Sequence, residues 1–225
     1  MELWIADTEA LELDRHLEQL LPLLSGPERE RALRFRRRED RLRCAVGRVM
    51  IRALAAKRLG RADAAILISE YGKPYFTQED APHFSLSHSG SLVVLASGDT
   101  PLGVDVEACR QIKWRELSSF FSGEERAMPE SAEYPLACFY RIWTVREAFS
   151  KAVGLGLSLF EAAGAEIDYL AAAAFFRGEE YCFRTWEYPG YTLSLCAHQI
   201  EAEPYWLTAA DWNLLEASLL YTVNA

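Results

Sequence analysis

LGVDVE, residues 102–107, alternates apolar and acidic side chains at the point where the texture of the chain changes. Such period-two alternation marks a half-buried strand, so Val104 and Val106 face a core while Asp105 and Glu107 share the other side. Upstream lie further short β-rich runs, Ile66 to Ser69, Phe84 to Ser87 and Leu92 to Ser97, punctuated by Gly72, Pro74, Pro82, Gly90 and Gly98. These predict antiparallel strands joined by short loops. Downstream the helical period returns over Trp114 to Phe121 and over Tyr134 to Val153, which Gly154 and Gly156 end. Further upstream, a short strand over Glu2 to Asp7 precedes leucines 17, 20, 21 and 24 at helical spacing. Pro27 then opens one amphipathic helical stripe through Arg29 to Leu59, marked by Leu33, Leu42, Val46, Val49, Met50, Ala53 and Leu54. At the far end come β runs over Ala165 to Asp168, Tyr181 to Trp186 and Thr192 to His198, then Trp206 to Ala209 and an apolar C-terminal helix. Helices followed by strands thus occur twice. The fold class is α+β with an N-terminal lobe over 1–100 and a C-terminal lobe over 101–225, and a site between two lobes is the expectation.

Charge is distributed unevenly over these elements. The 225 residues carry 24 Lys and Arg against 33 Asp and Glu, a formal −9. Between Gly26 and Arg61, however, 13 basic residues face 4 acidic ones, which makes that segment +9 and leaves −18 for the rest. The apolar fraction of 50% excludes a disordered chain. The N-terminus has no basic n-region and the longest aliphatic run, Leu92 to Ala96, is too short to span a bilayer, so the reading is of a soluble, cytoplasmic protein with no membrane partner. Its five cysteines are scattered, without a C-x-x-C pair, and suggest neither a disulfide framework nor a zinc site.

Four places could carry chemistry. Asp105 and Glu107, two apart in a strand, project about 6 to 7 Å from each other on one face. Their repulsion invites a cation, and oxygen-only ligands favour Mg²⁺ completed by water and phosphate oxygens. In WTVREAFSK, residues 143–151, Trp143, Glu147 and Lys151 fall on one helix face about 6 Å apart. Lys151 is one of only 4 lysines among the 24 basic residues. FSLSHSG sets Ser87 and His88 at a strand end, where hydroxyl, imidazole and backbone N–H groups suit phosphate oxygens. Neighbouring strand residues face opposite ways, so Ser87 and His88 do not form a nucleophile and base pair. In YGKPYF, Lys73 stands in a fixed turn from which a charge could reach an anion.

Taken in order, YGKP, SHS, GVDVE, FFSGEE and W-x-x-R-E-A-x-x-K resemble the 4′-phosphopantetheinyl transferases of the surfactin-synthetase-activating type, over about Pro27 to Ser158. The resemblance implies two similar lobes related by a pseudo-twofold, each with helices on a small, mainly antiparallel sheet, and the active site between them. It implies Mg²⁺ on Asp105, Glu107 and Glu147, coenzyme A as cosubstrate, and an acyl or peptidyl carrier protein of fatty-acid, polyketide or nonribosomal peptide synthesis as partner to a monomeric enzyme. Glu125 matches the acid that takes the proton of the carrier serine, and Lys151 the lysine that contacts phosphate and protonates the leaving 3′,5′-ADP. Ser87 and His88 match coenzyme A phosphate contacts, Lys73 the nucleotide-binding loop, and Arg31 and Arg43 the basic residues near the 3′-phosphate. Arg29 and Arg34 are interchangeable with Arg31 in that alignment. The usual lysine before the metal-binding glutamate is Arg146 here, which keeps the charge and changes its geometry.

A nucleic-acid module built on Arg34, Arg36, Arg37, Arg38, Arg41 and Arg43 is the rival reading. It conflicts with the strong negative charge elsewhere and with the lack of any RNA- or DNA-binding motif. RQIKWRELSSFF, residues 110–121, lies where the resemblance implies carrier contact.

Overall fold

A computed structural model describes residues 1–160 and 164–223. The chain forms two units, residues 1–100 together with the segment from Glu201 onward, and residues 101–200.

In the first unit, β1 (Glu2–Asp7) is central and its Leu3, Ile5 and Ala6 are at most 1% exposed. After the single turn α1 (Leu17–Leu20) comes α2 (Gly26–Leu33), whose start is fixed by a capping box in which the Ser25 N–H donates to Glu28 at 2.9 Å. The helix does not run on to Leu59 as the single apolar stripe predicts: it ends at Leu33, and α3 (Arg38–Leu59) begins after Arg37, whose backbone is extended. The break leaves Leu33 45% exposed and puts Arg36 and Arg37 in water, where successive cations repel least. Glu39 and Asp40 then favour a new helix N-terminus through the helix dipole. Along α3 the remaining stripe, Leu42 to Leu54, is buried. The hairpin of β2 (Ile66–Ile68) and β3 (Pro74–Phe76) forms a separate two-stranded sheet. β4 (His83–Ser89) and β5 (Leu92–Gly98) make a second hairpin, and β5 pairs antiparallel with β1.

The second unit opens with β6 (Leu102–Ala108), followed by α4 (Trp114–Leu117), α5 (Gly123–Ser131) and the long α6 (Pro135–Val153). β7 (Ala165–Asp168), β8 (Ala173–Phe176), β9 (Glu179–Tyr188) and β10 (Tyr191–Ala197) complete a fully antiparallel sheet in the order β6-β10-β9-β8-β7. α6 packs on β6 and β10. One end of the helix belongs to an aromatic cluster of Trp114, Phe121, Phe139 and Tyr140, the other to a core that includes Phe149, Phe176 and Phe183.

The chain then returns. β11 (Pro204–Trp206) pairs parallel with β1, Leu3 opposite Pro204, and gives the first sheet its order β11-β1-β5-β4. α7 (Ala209–Val223) packs on α3. The tail read from sequence as part of a 101–225 lobe therefore folds into the first unit, because the outer edge of β1 needs a partner for its backbone groups and α3 has apolar surface for α7 to cover. Among the described residues, no helix is long and apolar enough to cross a membrane.

Candidate active site

A missing side chain builds the site of the second unit. Gly103 lies within β6, and a Cβ there would stand 2.0 Å from the Ala148 carbonyl oxygen and 2.4 Å from the Ala152 nitrogen of α6. Only glycine lets the helix backbone lie directly on the strand at this point. By the two-residue period, Asp105 and Glu107 leave β6 on the same side as Gly103, the side that α6 covers. Lys151, one helical turn beyond Glu147, then donates from Nζ to Asp105 Oδ1 at 2.6 Å and to the Val104 carbonyl at 3.1 Å. Asp105 is only 4% exposed.

Glu147 and Glu107 are half-buried beside this pair. Burial first, then the charge of Asp105, raises the Glu147 carboxyl above its ordinary value; Glu107 adds to the rise, while Lys151 and Arg146 oppose it. Among the described residues, no three His, Cys, Asp or Glu side chains already converge on a metal-sized point. The donor chemistry nevertheless fits a hard divalent cation. Three carboxylates that repel one another offer oxygen alone, and a bound cation would relieve that repulsion.

Glu125 begins α5 as the N3 residue of a capping box, accepting from the Ser122 N–H at 2.8 Å. The same oxygen accepts from Arg146 Nη1 at 2.6 Å, and the other accepts from the Tyr169 hydroxyl at 2.8 Å. Both side chains of the ion pair are 8% exposed. Burial, then the Glu125 charge, raises the Tyr169 phenol far above its ordinary value, so it remains a donor. Glu125, Arg146 and Tyr169 line a cavity of about 720 Å³ with Met128, Phe160 and Ile167.

In the first unit the anion-binding candidates are more dispersed. Ser87 is 8% exposed while His88 is exposed, as neighbouring residues on opposite faces of β4 should be. The next turn carries Gly90 with a φ of 57°, and its carbonyl accepts from Arg43 Nη1 at 2.7 Å. Arg43 also pairs with Asp40 and lines a cavity of about 480 Å³ with Arg15, Arg38 and Ser91. Arg31 lines a different cavity, of about 520 Å³, with Arg34, Arg48 and Arg52. Arg31 and Arg43 are thus not brought together. Lys73 follows Gly72 in the β2–β3 turn, its N–H donating to Ser69 Oγ at 3.1 Å, and burial pushes its ammonium down to about 8.

Sequence reasoning missed Gly103, Arg146 and Tyr169 as parts of the arrangement. A glycine inside an alternating strand is a recognisable sign of close backbone approach. Arg146 and Tyr169 reach Glu125 across separations of 21 and 44 residues, for which local spacing gives no sign. Within residues 110–121, Trp114 is 8% exposed and packed in the aromatic cluster, whereas Leu117 and Phe120 are exposed at 41% and 63%.

Comparison with known proteins bears on the whole arrangement. Residues 101–196 match the 4′-phosphopantetheinyl transferase superfamily, and residues 12–100 match the N-terminal region of 4′-phosphopantetheinyl transferases. The chain is 32% identical over 203 residues to the 4′-phosphopantetheinyl transferase ffp of Bacillus subtilis, covering 82% of this chain and 89% of that one. It is 34% identical over 146 residues to another 4′-phosphopantetheinyl transferase of Bacillus subtilis, covering 63% of this chain and 65% of the relative. With one of Bacillus pumilus it shares 36% over 148 residues, or 64% of each chain. The matched part thus spans just under two thirds of two of these relatives and nearly all of the third. Two adjoining family matches and a relative aligned over most of both lengths establish that the chain belongs to the 4′-phosphopantetheinyl transferase family.

Proposed function

We propose that the protein transfers the 4′-phosphopantetheine group of coenzyme A to a serine hydroxyl of an acyl or peptidyl carrier protein, releasing 3′,5′-ADP. The observation that carries this reading is the contact of Lys151 with Asp105 beside Glu147, made possible by Gly103. Attack of the serine oxygen on the β-phosphate needs positioning and charge neutralisation more than a protein nucleophile. Lys151 holds its ammonium at the acid cluster, from which it can turn to the phosphate and give a proton to the leaving 3′,5′-ADP. Glu125 accepts the serine proton, directly or through one water. Ser87, His88 and Lys73 contribute donors to coenzyme A, and Arg31 and Arg43 are the candidates for its 3′-phosphate. Asp105, Glu107 and Glu147 would hold Mg²⁺, which supplies positive charge to the pyrophosphate. The protein acts as a cytoplasmic monomer in this reading.

The test is mass spectrometry of apo carrier proteins incubated with the enzyme, Mg²⁺ and coenzyme A. A gain of one phosphopantetheine on at least one carrier is expected. Unchanged mass across fatty-acid, polyketide and peptide-synthetase carriers would overturn the reading.

A further inference from the structure

The buried pair of Arg146 and Glu125 belongs to no part of the acid cluster described for β6 and α6. Arg146 is spread over four partners at once. Its Nη1 donates to Glu125 Oε2 at 2.6 Å, its Nη2 donates to the Phe120 carbonyl at 2.8 Å, and its guanidinium carbon lies 3.6 Å from the Phe160 ring centroid and 5.5 Å from that of Phe121. Such a fork needs a planar group with several donors, which a lysine ammonium does not provide. Phe120 and Glu125 bracket the start of α5, so one guanidinium ties both ends of the loop that presents Glu125. Tyr169, in the turn directly after β7, holds the remaining carboxylate oxygen. Together with the Ser122 N–H these contacts fix the carboxylate in both position and rotation.

We propose that Arg146 and Tyr169 are positioning residues for transfer, acting through Glu125 and specific to the arginine that stands at 146 in this chain. This rests on the transferase reading and on Glu125 as the acceptor of the serine proton. Proton acceptance requires the acceptor atom within hydrogen-bond reach of the reacting hydroxyl, and a carboxylate released from two of its partners can swing away from that geometry. Stabilisation of α5 is a separate consequence, because the capping box between Ser122 and Glu125 remains when Tyr169 is lost.

The experiment measures kcat, KM for coenzyme A and melting temperature for the full-length wild type, Arg146→Lys, Tyr169→Phe, Glu125→Ala and the two doubles combining Glu125→Ala with each of the others. A lost hydrogen bond to a charged group corresponds to about a 10- to 100-fold change. Arg146→Lys and Tyr169→Phe should therefore lower kcat by that factor, with KM for coenzyme A changed less than twofold and the protein folded at the assay temperature. In the Glu125→Ala background neither change should lower kcat further, since residues that act through one group are non-additive. Losses that add in the doubles, an unchanged kcat in both single variants, or a fall in kcat matched by loss of folded protein would each overturn the proposal while leaving wild-type transfer intact. A wild type that loads no carrier overturns the transferase reading itself, and this proposal with it.

Discussion

In the second unit Asp105 and Lys151 meet at 2.6 Å because one backbone lies on another at Gly103, whereas in the first unit Arg31 and Arg43 extend from α2 and α3 on long side chains toward two different cavities. The acid cluster takes its geometry from the fold, and little freedom is left to lose when a ligand arrives. The arginine surface takes its geometry from rotamers and neighbours such as Asp40 and Gly90, so its contacts with a ligand are more replaceable. The proposed roles follow the same line, bond making and breaking, which tolerates small errors poorly, at the acid cluster, and capture of a charged group, which tolerates them better, at the arginines.

The largest effect should come from the acid cluster itself. Asp105→Ala or Glu147→Ala is expected to lower transfer by about 10³-fold or more while the protein stays folded, because charge stabilisation of this kind is commonly worth that much. Undiminished Mg²⁺-dependent loading of a carrier by either variant would overturn their proposed role as metal ligands. Gly103→Ala attacks the geometry rather than the charge. A Cβ 2.0 Å from a backbone oxygen forces α6 off β6 and should cost about 1–3 kcal/mol of stability, with transfer falling alongside. A melting temperature within a degree of wild type would show that the strand and helix do not depend on the glycine.

The dispersed region should give smaller numbers. Because Arg31 and Arg43 line different cavities, only the one whose cavity receives the 3′-phosphate is expected, on replacement by Ala, to raise KM for coenzyme A about tenfold, the value of one charged hydrogen bond, and to have no effect when 3′-dephospho-coenzyme A is the donor. An equal penalty with both donors would place that arginine away from the 3′-phosphate. The smallest effect concerns Lys73, whose ammonium burial pushes down to about 8. As pH rises from 7 to 9 it loses charge, so coenzyme A affinity should weaken by a few-fold, and Lys73→Arg should flatten that step. Stability of the free protein moves the other way. The unfolded lysine keeps its proton to higher pH, so the penalty of burying the ammonium is fully present below about 8 and is relieved as pH climbs toward 10.5. Titration calorimetry and melting curves across the same pH range check both signs.

Much of this contrast was legible in the sequence, and unevenly so. Alternation in LGVDVE located β6, and the i, i+4 spacing located the face of α6 that carries Glu147 and Lys151, because both patterns are short-range consequences of backbone geometry. β8 was not legible. Its Ala173 and Ala174 have weak strand preference, and the segment is held by pairing with β7 and β9 rather than by its own composition. The division between α2 and α3 was hidden because Leu33 keeps helical register with the stripe while lying 45% exposed. Residues that converge from far apart in the chain, as Arg146 and Tyr169 do on Glu125, leave no local period to find. The return of the tail to β1 is of the same kind, since nothing in PYW announces which strand edge it will meet.

That return has a consequence for how the protein is made. Residues 101–200 form an uninterrupted segment that can close its sheet as soon as it leaves the ribosome. The first unit, although its strands are synthesised earlier, keeps one edge of β1 open until Pro204 to Trp206 emerge. Synthesis order and completion order are therefore reversed, and a ribosome stalled before residue 204 would hold a nascent chain with an open strand edge, a substrate for chaperones rather than an early enzyme.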